Sequence, residues 1–157
     1  MAESSQISFM IDNQNYGIDI MSVRAIERCD NISPVIGAPN FIKGVLNLRG
    51  ELIPVYSIRS KFALPDKPYD NNTMLILVKL EELSVAIIVD SVIGIINVME
   101  KQVRSRPEIL SDVSTDFVGH VAELDDKKII LLISLPHLIP AAERKAMIDM
   151  LETGKED

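Results

Sequence analysis

The sequence predicts an all-β protein with a few short helices, built as two small β-barrels packed side by side. Three observations predict this fold: pairs of short apolar strands, an internal repeat, and a helical pattern at the C-terminal end. Short strands that curl into small barrels leave few exposed edges, which favours barrels over open sheets.

The first hairpin is predicted by alternation. Ile7, Phe9 and Ile11 recur at every second position, which is the period of a half-buried strand. A polar stretch separates them from a second extended segment at residues 16–20. Just after it, the three-residue spacing of Val23 and Ile26 indicates a short helical turn. Three more hairpins are predicted, at residues 45–48 with 52–58, 74–80 with 85–89, and 120–124 with 129–135.

Two features predict how the later elements are buried. Strands in the second half are apolar at consecutive positions, so we expect both of their faces to be covered. Pro54 lies inside a strand and predicts an edge strand or a bulge. The C-terminal helix is predicted at residues 139–152, with Glu143 facing water. Four of its residues share the inward face at helical spacing: Ile139, Ala142, Ala146 and Met150.

The two halves of the chain resemble each other across residues 64–72, a Pro- and Asn-rich stretch that is typical of a linker. Residues 17–26 match residues 86–95 at a constant offset, and Gly44 matches Gly119. A unit too small to bury its own apolar face gains from pairing with a copy of itself. We therefore favour a duplication, with chance similarity between apolar strands as the alternative.

The repeat places the predicted first barrel at about residues 1–66 and the second at about residues 67–138. The C-terminal helix then covers residues 139–152. Exchange of strands between the two subdomains is left open.

Composition excludes several classes of partner. The 16 Lys and Arg against 23 Asp and Glu give a net charge of −7, which argues against nucleic acid and anionic membrane surfaces. The apolar runs are too short for direct membrane insertion, and the N-terminus lacks a signal-peptide pattern. A single cysteine, Cys29, excludes a disulfide framework and fits a reducing compartment. We expect a cytoplasmic protein.

No residue pattern predicts catalysis. A nucleophile needs a base, and the two histidines, His120 and His137, fit structural or solvent-facing positions better. Phosphate-binding, dinucleotide-binding and metal-binding patterns are missing from the sequence, so we expect no catalytic residue, no metal and no cofactor. A binding module is the remaining interpretation.

One stretch carries a family resemblance. Residues 41–55 hold Asn-Leu-Arg-Gly between two apolar strands, the second ending in Pro-Val, and Arg59 and Phe62 follow. This pattern resembles the CheW family of chemotaxis coupling proteins. The further matches are Tyr16-Gly17-Ile18, Val89-Asp90-Ser91-Val92 and Gly119-His120-Val121-Ala122, in the family's order over about residues 7 to 138.

Three positions depart from the family pattern. Ala25 stands where family members commonly carry an acidic residue, which bears on partner specificity. Ser57 stands where Asp is usual, and Asp126-Lys127 replaces a frequent Asp-Gly turn.

The resemblance implies a single CheW-like domain over residues 1–157, made of two five-stranded SH3-like barrels without catalytic activity. It implies a cytoplasmic adaptor at membrane receptor arrays. One partner is the cytoplasmic tip of methyl-accepting chemoreceptors, and the other is the regulatory domain of the chemotaxis histidine kinase. The alternatives are a paralogue that serves a non-motility signalling array, or a small-molecule sensor with a pocket between the barrels.

Four residues are expected to bind the receptor: Val23, Ile26, Asn47 and Arg49. The planar guanidinium of Arg49 suits an interface, although an arginine at a hairpin tip can also be merely solvated. Val23 and Ile26 fit either a core position or a helix-in-groove contact. Gly44 and Gly50 are expected to serve backbone geometry. The residues that contact the kinase are not identified.

Overall fold

The computed structural model describes residues 3–104 and 117–155, which form short strands and a C-terminal helix. The strands are β1 Glu3–Ile11, β2 Gln14–Asp19, β3 Val23–Arg28, β4 Ile42–Leu48, β5 Glu51–Ser57, β6 Met74–Leu80, β7 Leu83–Val89, β8 Ser91–Met99, β9 Val103–Arg104, β10 Val118–Glu123 and β11 Ile129–Ile133. The α-helices are α1 Ile58–Lys61, α2 Leu135–Leu138 and α3 Ala141–Lys155. The all-β class and the C-terminal helix are confirmed.

The strands form two sheets. Sheet 1 has the order β8-β1-β2-β11-β10-β9, and sheet 2 has the order β3-β6-β7-β5-β4. Each contains one parallel pair, β2 with β11 in sheet 1 and β5 with β7 in sheet 2, among antiparallel neighbours. Two sheets of short strands agree with the predicted pair of small barrels.

Each sheet takes strands from both halves of the chain, so the predicted boundaries at residues 1–66 and 67–138 do not separate the sheets. β1 and β2 join β8 to β11, while β6 and β7 join β3 to β5. The reason is long-range pairing: β1 pairs with β8 from Glu3 opposite Met99 to Met10 opposite Ser91. Strands from the two halves of the chain are therefore mixed in both sheets.

The internal repeat is confirmed by the registers. In sheet 1, Gly17 pairs with Leu132 across the parallel strands, and in sheet 2 Ala86 pairs with Val55. Gly17 and Ala86 lie at the constant offset that the sequence comparison found. The turns after β5 and β11 also agree: the Ser57 amide donates to the carbonyl of residue 41 at 2.7 Å, and its counterpart in the second repeat makes the same bond to residue 117 at 2.7 Å.

The largest core lies between the sheets rather than inside either one. It includes Phe9 and Ile18 from sheet 1, Ile76 and Ile87 from sheet 2, and Leu138 from α2, all fully buried. Each sheet also encloses a smaller cluster of its own. β6 and β7 therefore bury both faces, as their consecutive apolar residues predicted.

The packing decides between the two predictions made for Pro54. It lies in β5, an interior strand rather than an edge, and the register with β4 shifts just beyond it, between Ile42 and Gly44. The strand tolerates it because the parallel pairing with β7 begins only at Val55, so the missing N–H falls outside that ladder.

α3 packs against the inter-sheet core with a face shifted from the predicted one. Ile139 and Met147 are buried, whereas Ala142 is exposed. Glu143, predicted to face water, is half-buried, and its carboxylate lies 2.9 Å from the hydroxyl of buried Tyr56. Burial, followed by the charge and hydrogen bond of Glu143, raises the pKa of Tyr56. Across residues 3–104 and 117–155, no helix combines the length and apolar character needed to span a membrane.

Candidate partner-binding surface

Val23 and Ile26 lie on strand β3, so the predicted helical turn is wrong at these positions. The helix-like spacing comes from a β-bulge: the register with β6 shifts between Val23 and Ala25, leaving Arg24 as the extra residue. Val23 pairs with Val78 and Ile26 pairs with Ile76. Because residues directly opposite each other share a face, the bulge brings Val23 and Ile26 onto the same face.

This face carries an exposed apolar residue at the free edge of sheet 2. Val23 is half-buried against the inter-sheet core, while Ile26 is 37% exposed. The second repeat reproduces the arrangement at the free edge of sheet 1. There β8 has the same bulge, with Ile93 as the extra residue, and Ile95 is 63% exposed. The comparison of the two halves matched Ile95 with Ile26, but the sequence analysis did not predict Ile95 as a binding residue.

The other two predicted residues lie at the β4–β5 hairpin. Its two turn residues, Arg49 and Gly50, have φ of 54° and 89°, which is the pattern of a type I′ turn. The side-chain oxygen of Asn47 accepts a hydrogen bond from the Gly50 amide at 2.9 Å. Asn47 therefore holds the turn. Arg49 is exposed and, among the described residues, forms no ion pair.

Arg24 connects β3 to this hairpin. Its guanidinium donates to the hydroxyl of Ser84 on β7 at 2.6 Å and lies 3.4 Å from the carboxylate of Glu51 on β5. Glu51 immediately follows the turn that carries Arg49. Arg24 thus links β3 to the start of β5, next to the hairpin turn that carries Arg49.

A second group of charges holds the crossing between β7 and β8. The guanidinium of Arg59 binds Asp90 in a bidentate manner at 3.1 and 2.7 Å, and it also binds Asp12. The amide of Asp12 donates to Asp90 at 2.8 Å, and Lys67 lies 3.9 Å away. Burial alone would raise the pKa of Asp90, but the Arg59 and Asp12 hydrogen bonds and these positive charges outweigh it and lower the pKa.

This cluster joins the β1–β2 turn of sheet 1 to α1 and to the end of β7 in sheet 2. The side chains of Arg59 and Asp90 are each only 12% exposed, so the pair is well shielded from water. The sequence showed Arg59 and Asp90 only as parts of the family pattern, because their pairing joins positions 31 apart.

His137 and Cys29 lie in structural settings. The Ser134 hydroxyl and His137 Nδ1 are 2.7 Å apart across three positions at the start of α2, a local contact beside a helix end. Burial, followed by the charge of Asp30, raises the pKa of the Cys29 thiol to about 11, which makes it a weak nucleophile. No cluster of three His, Cys, Asp or Glu suited to a metal ion occurs within the described ranges.

Comparison with known proteins identifies the family. The family model of the CheW-like domain matches residues 6–143. The chain belongs to the CheW-like domain family. The family resemblance of the sequence is thus confirmed, and the match ends within the first turn of α3.

Relatives of the CheW-like chain span nearly all of it. The chemotaxis protein CheW of Klebsiella aerogenes is 33% identical over 141 residues, covering 90% of this chain and 84% of that protein. The probable chemotaxis protein CheW of Rhizobium etli is 30% identical and covers 89% of this chain and 90% of its own. The crystal structure of the scaffolding protein TtCheW from Thermoanaerobacter tengcongensis matches with a TM-score of 0.80 and 28% identity, over 91% of this chain and 96% of that one.

Proposed function

We propose that this CheW-like protein is a non-catalytic scaffold that couples methyl-accepting chemoreceptors to the chemotaxis histidine kinase. The observation that carries the proposal is the match of almost the whole fold to a protein named as a scaffold, with a TM-score of 0.80. The protein acts in the cytoplasm, at membrane receptor arrays.

The receptor tip binds the side of sheet 2 that β3 and the β4–β5 hairpin form. Ile26 and Arg49 make the direct contacts, because both side chains are exposed. Val23 and Asn47 support these contacts. Val23 packs against the inter-sheet core and anchors β3, and Asn47 closes the turn that presents Arg49. Exposed apolar side chains and arginines are both common in protein interfaces.

A coupling protein needs a second surface, and the repeat supplies a candidate. Ile93 and Ile95 on β8 are 53% and 63% exposed at the free edge of sheet 1. We assign this edge to the regulatory domain of the kinase. The two partners would then bind different sheets and leave each other's site open.

The inter-sheet packing does not favour the small-molecule sensor. A sensor of that kind would use the space between the two barrels as its pocket. In the described residues that space holds the largest apolar core of the protein, whose members are all buried.

The proposal is tested with Arg49→Ala in a reconstituted mixture of receptor fragments and kinase. Loss of an interface anchor weakens receptor binding by about 1–2 kcal/mol, or roughly 5- to 30-fold. The unfolding free energy changes by less than about 0.5 kcal/mol, as for other exposed positions. Arg49→Lys does not restore full binding, because an ammonium lacks the planar fork of donors.

The matched control is Arg104→Ala, an exposed arginine on β9 in sheet 1, which leaves receptor binding unchanged. Full kinase stimulation by Arg49→Ala would refute the contact assigned to Arg49. A wild-type protein that binds neither partner would refute the coupling function itself.

A further inference from the structure

Arg24 has a position that the family pattern does not explain. It is the extra residue of the β3 bulge, and a bulge re-aims the side chain that it carries. Its Nη1 donates to the hydroxyl of Ser84, which is only 9% exposed, at 2.6 Å. Nη1 and Nη2 each lie 3.4 Å from a carboxylate oxygen of Glu51.

Glu51 is the carboxylate closest in sequence to Arg49 on the same hairpin. Only Gly50 separates them, and both residues line one groove of about 660 Å³, together with Glu82 from the β6–β7 turn. A free carboxylate at position 51 would compete for the Arg49 guanidinium, because arginine and carboxylate form strong charge-assisted hydrogen bonds.

We propose that Arg24 is a positioning residue for partner binding: it holds the Glu51 carboxylate and so leaves Arg49 free for a carboxylate of the partner. The inference rests on the proposed function, since it concerns the contact assigned to Arg49. It also predicts the chemistry of the partner, which presents an acidic side chain to the hairpin tip. Binding therefore weakens as the salt concentration rises.

The test combines single and double variants. Arg24→Ala releases Glu51 and lowers the affinity for the receptor-tip fragment at least fivefold. Adding Glu51→Gln removes the competing charge and restores the affinity to within twofold of wild type. Adding Glu82→Gln instead leaves the affinity low, because Glu82 is not the residue that Arg24 holds. Arg28→Ala, an arginine of the same strand with a 79% exposed side chain, is the control for loss of a positive charge.

A partner-free measurement follows the same variants. The side-chain Nε–H signal of Arg49 in a ¹H–¹⁵N spectrum shifts in Arg24→Ala, as Arg49 pairs with Glu51, and returns in the double variant with Glu51→Gln. An unchanged signal in Arg24→Ala overturns the inference. A double variant that binds as weakly as Arg24→Ala also overturns it, since Arg24 would then contact the partner or shape β3 directly.

The two proposals fail in different ways. If wild-type protein does not bind the receptor fragment, the coupling function is contradicted. The Arg49 signal then still decides whether Arg24 holds Glu51 away from Arg49, because that measurement needs no partner.

Discussion

Gly44 is the position where one added methyl group has the most predictable cost. Its φ of 151° lies in a region that other residues rarely adopt, and a Cβ there would lie 2.3 Å from the carbonyl oxygen of Ser33. An ordinary contact needs about 3.4 Å, so Ser33 must move by about 1 Å. That movement breaks the two hydrogen bonds between Ser33 and Val45, at 2.9 and 2.8 Å.

The magnitude follows from these parts. Each lost hydrogen bond costs about 1 kcal/mol, and the strained backbone adds about 1 kcal/mol. Gly44→Ala therefore lowers the unfolding free energy by about 3 kcal/mol. Gly94 is the matched control, with the same φ of 151° but no atom within 4 Å of the added Cβ. Gly94→Ala lowers the unfolding free energy only by the cost of the strained backbone, about 1 kcal/mol.

Thermal and urea unfolding of the two variants measure the difference. At roughly 2–4 °C per kcal/mol for a domain of this size, Gly44→Ala melts about 4–8 °C below Gly94→Ala. Equal melting temperatures would show that the Ser33 segment yields without loss of its hydrogen bonds, and the reasoning would be wrong.

Three further predictions concern other parts of the fold. Asp90→Asn destabilises the protein by about 2 kcal/mol at pH 7. Because the folded pKa of Asp90 is lowered, this loss of stability is fully present above the unfolded pKa of about 3.9 and shrinks as the pH falls through the folded pKa. Urea titrations that show a constant difference between wild type and variant down to about pH 3 would contradict it. Ile139→Asp places a charge in a fully buried site and clearly lowers the melting temperature, whereas an unchanged melting curve would mean that α3 does not dock. Ile95→Asp weakens binding of the kinase regulatory domain but not of the receptor fragment. A pulldown that shows the reverse would mean that the receptor, and not the kinase, binds the free edge of sheet 1.

The local elements of the fold were predictable because they depend on neighbouring residues. Alternation at Ile7, Phe9 and Ile11 marked β1, and the consecutive apolar residues of β6 and β7 marked strands buried on both faces. The matched positions of the repeat were equally visible, since they need only a comparison of the two halves.

The remaining features depend on contacts that a local pattern does not contain. A bulge gives Val23 and Ile26 a three-residue spacing, which looks like a helix until the register with β6 is known. The exchange of strands is decided by the β1–β8 pairing, and the inward position of Glu143 by the buried hydroxyl of Tyr56. Of the candidate site, residue types indicated Arg49, but the role of Arg24 required the positions of Ser84 and Glu51.

The pairing of β1 with β8 has a consequence for how the protein is made. The hydrogen bond between Ser5 and Asn97 joins positions 92 apart. At the usual synthesis rate of roughly 5–20 residues per second, β1 leaves the ribosome about 5–18 seconds before β8 exists. During that interval β1 can pair with β2, but the edge of β1 that β8 covers in the folded protein stays unpaired. The nascent chain is therefore a natural client for chaperones that hold unfinished β-strands, and slow translation of the middle of the gene would lengthen its exposure to aggregation.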